Sequence, residues 1–68
     1  MLGLLINEDE QKEMTYVLQR ELDELLFDLN DERIDRTIKE AMEKRYRVLF
    51  QLFKRVAPEQ ECLRYIPK

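Results

Sequence analysis

The chain has no histidine and no serine, and its 68 residues include one cysteine, one glycine and two prolines. Each shortage removes a class of function. Acid–base catalysis near neutral pH most often runs through histidine. Without one, a nucleophile would have to be Cys62, Thr15, Thr37 or a lysine, none with a histidine base to activate it. Structural zinc sites draw on cysteine and histidine together, and a lone cysteine forms no internal disulfide. Glu21 with Glu24, and Glu40 with Glu43, have the i, i+3 spacing of two-metal bundle sites but lack the histidine those sites need. No glycine-rich loop is present to cradle a phosphate. The expectation is a non-enzymatic protein with no metal and no cofactor, in which Cys62 packs rather than reacts.

Long apolar runs are missing as well. The longest, Leu4-Leu5-Ile6, is far short of the roughly 20 residues of a membrane-spanning helix. Residues 1–6 also lack the basic flank of a signal peptide. A free thiol without an export signal points to a reducing cytoplasm.

What is present is charge and helical periodicity. Charged residues make up 40% and hydrophobic residues 44% of the chain, the profile of a helical protein rather than a disordered one. One domain is expected over residues 1–68: an apolar arm (1–6), a first helix (7–30), a second helix (34–57) and a short third helix (58–66). The arm alternates Leu2, Leu4 and Ile6, which suits an extended segment lying on something else. Asn7 is a favoured N-cap, and Glu10 supplies the return half of a capping box. Met14, Leu18, Leu22, Leu25 and Leu29 then form an apolar stripe, with Val17 and Leu26 at its margins and Tyr16 and Phe27 on the opposite side. The Asn30–Arg33 break and a second cap at Asp35 suit a tight helix–helix turn. Pro58 ends the second helix and suits the start of the third, and Pro67 ends that one.

The second helix carries the main argument. Ile38, Ala41, Met42, Val48, Leu49, Leu52, Phe53 and Val56 recur at three and four residues, with Tyr46 and Phe50 on one flank. Val48 and Phe50 lie about 200° apart on a helical wheel, with the other apolar residues from Met42 to Val56 between them. A surface helix needs a stripe only a little over about 100° wide. The excess is covered either by the C-terminal segment or by a protein partner, and the width favours a partner.

The fold class expected is therefore all-α: an antiparallel helical hairpin with a short C-terminal helix, two copies of which form a four-helix bundle. The partner is a second copy, as a homodimer, or another helical protein. Tyr46, Leu49, Phe50 and Phe53 are the expected contact surface. With the turn near residues 32 and 33, facing residues have numbers summing to about 65. That places Leu18 against Val48, Leu25 against Ala41, Met14 against Leu52 and Leu29 against Ile38. It also places Glu21 against Arg45, the one charged residue in each stripe. An ion pair there would fix the register of the hairpin.

Charge is segregated. Residues 7–31 hold nine acidic and two basic residues, and residues 33–57 hold eight basic and three acidic. An acidic helix beside a basic one is complementary within the hairpin and again across a symmetric dimer. The basic, aromatic stretch 44–55 makes nucleic-acid binding through Arg45, Arg47, Lys54 and Arg55 the rival function, disfavoured by the acidic balance of the whole chain. A small dimeric helical enzyme is a third class, which would need a pocket of converging polar groups between subunits.

Two stretches resemble known families. LQRELDELLFDL, residues 18–29, resembles the first helix of the all-helical chorismate mutases, which implies an active-site role for Arg20; the chain lacks the length of that family's third helix. From Arg20 onward, RELDELLFDLNDERIDRTIKEAMEKRYRVLFQLF followed by PEQECLRY resembles small uncharacterised cytoplasmic proteins of Gram-positive, spore-forming bacteria. That likeness implies no activity.

Overall fold

The computed structural model describes residues 1–66, and within them every regular element is helical. Helix α1 spans Glu8–Leu29, α2 spans Arg36–Val56 and α3 spans Glu59–Cys62, followed by a 3₁₀ turn over Leu63–Tyr65. The two long helices pack against each other as a hairpin.

The start of α1 is fixed by its cap. Asn7 Oδ1 accepts from the Glu10 amide at 2.8 Å, and Glu10 Oε1 accepts from the Asn7 amide at 3.0 Å. Two amides that no helical carbonyl can reach are satisfied reciprocally. Glu8, Asp9 and Glu10 occupy the first turn, where the helix dipole favours negative charge. At the turn between the helices, Asp31 accepts from the Arg33 amide and grips the Arg33 guanidinium with both carboxylate oxygens at 3.1 Å. These contacts hold the Asp31 carboxyl below the usual carboxylate range. Asp35 stands at the N-cap of α2 as expected, but its side chain makes no capping hydrogen bond. Its backbone carbonyl instead accepts the first helical bond, from Lys39 at 2.9 Å.

Ala57 is extended before Pro58, the conformation a following proline imposes. The orphaned carbonyl of Val56 is taken by Gln11 Nε2 at 2.8 Å, so the start of α1 is tied to the end of α2. The third element divides into one α turn and one 3₁₀ turn, with Pro58 at the N-cap and Ile66 extended. Pro67, the expected stop, lies outside the described residues.

The core contains Leu18, Leu22 and Leu25 of α1, Tyr46, Phe50 and Phe53 of α2, and Cys62 and Tyr65 from the C-terminal segment. The axial register agrees with expectation: the pairs Glu21–Arg45 and Gln11–Val56 have numbers summing to 66 and 67. The rotation of α2 does not. Val48, Ala41 and Ile38, expected against Leu18, Leu25 and Leu29, are exposed. The helix is turned toward the aromatic edge of its apolar arc. Each buried aromatic removes about 150–250 Å² from water, more than valine or alanine offers, so the three rings take the seam.

Candidate interaction surface

The C-terminal segment covers one side of the hairpin. Tyr46 donates from its hydroxyl to the Tyr65 carbonyl at 2.7 Å, a buried bond. The Tyr65 hydroxyl donates to the Asp23 carboxylate at 2.8 Å. The Tyr65 ring meets Phe53 edge to face, with centroids 5.4 Å apart. Burial, reinforced by the Asp23 carboxylate, pushes the Tyr65 hydroxyl up to about 12, and the same two causes raise Tyr46. Cys62 packs in this seal as a buried free thiol.

This seal corrects the expected contact surface. Tyr46, Phe50 and Phe53 are 5%, 6% and 0% exposed, and so are not available to a partner while the chain stays closed. Leu49 is half-buried against the same core. Width of the apolar arc alone was a poor guide, because nine C-terminal residues, two of them tyrosine and cysteine, cover half of it.

Among the described residues, the other side has no such cover. Glu21 and Arg45 meet there, Oε2 to Nη2 at 3.3 Å. Helical spacing puts Met14 and Val17 on the same side of α1 as Glu21, and Ile38, Ala41, Val48 and Leu52 on the same side as Arg45. Val17, Ile38 and Val48 are 51%, 56% and 62% exposed, while Met14 and Leu52 are partly buried at the edge of the core. Val48 and Leu52 line an open depression bordered by Gln51, Lys54 and Arg55. Asp23, which holds Tyr65, lies two residues from Glu21 and so about 200° round α1. The hairpin thus has one face sealed and one face open.

The ion pair sits on this open face, not in a buried seam. Its side chains are 57% and 38% exposed, so in the isolated chain it contributes at most about 1 kcal/mol. Sequence reasoning located the pair but not its surroundings. The signal for the open face was present in the Ile38–Ala41–Arg45–Val48–Leu52 repeat, which the larger aromatics overshadowed.

The remaining residues singled out in the sequence lie elsewhere. Arg20 projects away from the hairpin seam, its guanidinium 6.0 Å from the Tyr16 ring centre. Tyr16 and Phe27 are exposed on that same outer side. Lys44, Arg47, Lys54 and Arg55 are exposed along α2, with the Lys54 ammonium 5.7 Å from the Phe50 ring centre. No helix of the described residues is long and apolar enough to cross a membrane. Comparison with protein-family models, curated proteins and solved structures finds no match to this chain.

Proposed function

We propose that the protein is a non-enzymatic helix-association module whose contact surface is the open face of the hairpin, and that its partner is a second copy of itself. The reading rests on the asymmetry of the two faces. An apolar stripe of Ile38, Ala41, Val48 and Leu52 runs along α2 and is interrupted by Arg45, while α1 adds Met14 and Val17 beside Glu21 and is otherwise acidic on that side. Burying such a stripe against its own copy gives a four-helix bundle.

Charge selects the arrangement. A two-fold axis parallel to the helices lays the acidic α1 of one copy antiparallel against the basic α2 of the other. A two-fold axis across the helices would instead set α1 on α1 and α2 on α2, opposing like charges, which costs specificity and rate of encounter. In the favoured bundle the Glu21–Arg45 pair loses water and becomes register-setting. The lone buried thiol is consistent with a reducing cytoplasm as its compartment.

Sedimentation velocity across a concentration series tests this reading. The expected result is a dimer at micromolar concentration. A monomer throughout would leave the open face to a different helical protein and end the self-association reading.

The rival nucleic-acid reading has the exposed cations of α2 in its favour. Its basic stretch offers no exposed aromatic face for stacking on bases, because Tyr46, Phe50 and Phe53 are buried and the exposed Tyr16 and Phe27 lie on the acidic α1. Mobility-shift titrations against salt decide it: binding that weakens steeply with salt supports the rival, and no binding at low salt removes it.

A further inference from the structure

Residues 1–6 form an apolar arm whose inner end, Ile6, is largely covered by its own chain at 36% exposure, while Leu2 and Leu5 are 93% and 98% exposed. The capping box at Asn7 fixes where the arm leaves α1. The Gln11–Val56 bond places that point beside the C-terminal end of α2. At this end of α2 the open face carries its apolar depression, Val48 and Leu52, with Lys54 and Arg55 on the rim.

The two-fold bundle proposed above brings these features together between copies. It sets the start of one copy's α1 alongside the end of the other's α2. The acidic first turn, Glu8 to Glu10, then approaches Lys54 and Arg55. Six extended residues reach about 20 Å, whereas Val48 and Val56 are separated by about 12 Å of helix. We infer that the arm of each copy docks in the Val48–Leu52 depression of the other, closing the ends of the dimer by arm exchange. This inference rests on the self-association reading, but can fail separately from it. A membrane surface is the competing occupant for an apolar arm. The run Glu8-Asp9-Glu10 directly behind the arm disfavours it, since anionic lipid repels it.

The test places the photo-crosslinking residue p-benzoylphenylalanine at position 4, in place of Leu4, in an equal mixture of isotopically heavy and light chains, with cross-linked peptides mapped by mass spectrometry. Heavy–light cross-links to the 48–55 segment support arm exchange. A dimer by sedimentation whose position-4 cross-links fall within one chain, or outside that segment, overturns arm exchange and leaves self-association standing. A monomer overturns both. A monomer that co-sediments with phosphatidylserine–phosphatidylcholine vesicles assigns the arm to a membrane and likewise overturns the inference. As an independent measure, the Leu2→Glu/Leu5→Glu variant keeps the helical circular dichroism of the parent, because these side chains contribute nothing to the core. It is expected to raise the dimer dissociation constant roughly tenfold or more; an unchanged constant contradicts the inference.

Discussion

The two faces of the hairpin are made from similar material and end differently. The sealed face has large rings, and the C-terminal segment lies across them through a hydroxyl–carbonyl bond, a hydroxyl–carboxylate bond and an edge-to-face ring contact. The open face has β-branched side chains and an ion pair, and among the described residues no part of the C-terminal segment seals it. The difference shows that the reach of the tail, together with the size of the rings, decides which surface becomes core. α2 has apolar residues for both sides, and the tail can cover only one.

Substitutions on the sealed face are expected to act on folding. Phe53 is fully buried and touches the tail through Tyr65. Phe53→Ala is expected to cost about 3–5 kcal/mol, measured by chemical denaturation, a large part of what so short a chain has available. An effect below about 1 kcal/mol would mean that the aromatic seam is not the core. Tyr65→Phe removes the bond to Asp23 and leaves the ring in place. Hydrogen bonds to charged groups contribute about 1.5–3 kcal/mol, so a loss near that size is expected.

Alkaline titration probes the same tail without mutation. The Tyr65 hydroxyl titrates at about 12 in the folded chain, against about 10 for free tyrosine. The folded state therefore binds this proton more tightly than the unfolded state. The stability it contributes is full below about pH 10 and is lost as the pH rises toward the folded value. Tyrosinate absorbance and helical circular dichroism, followed together over that window, should show loss of structure accompanying ionisation. Ionisation of all the tyrosines well before any structural change would contradict the buried bond.

The open face predicts the opposite pattern, with association affected and folding spared. Glu21→Gln is expected to change stability of the isolated chain by less than about 1 kcal/mol and to weaken the dimer. If it destabilised the monomer as strongly as Phe53→Ala, the pair would be part of the hairpin core and the contrast between faces would collapse.

The sequence was readable wherever the cause was local. The Asn7–Glu10 box, the Asn30–Arg33 turn and the break at Pro58 depend on residues a few positions apart, and each falls close to where the sequence placed it. The axial register was also legible, because a short turn leaves an antiparallel pair little freedom to slide. The rotation of α2 was not. It depends on competition among Val48, Ile38, Phe50 and Phe53 for one seam, and on a tail anchored by tyrosine bonds spanning 19 and 42 residues of sequence. Helical periodicity gives the width of an apolar arc and not which part of it a distant segment will cover. The arm fared similarly: its apolar alternation predicted a surface to lie on, and the described residues cover Ile6 in large part while leaving Leu2 exposed.

The most direct test compares the solution mass of Val48→Glu with that of Phe27→Glu by sedimentation over one concentration series. Both positions are exposed and apolar, Val48 on the open face and Phe27 on the outer side of α1, so neither change should unfold the chain. The account predicts that Val48→Glu is monomeric where the parent and Phe27→Glu are dimeric. A Val48→Glu dimer of parental strength, or a Phe27→Glu monomer, would contradict the assignment of the open face as the contact surface.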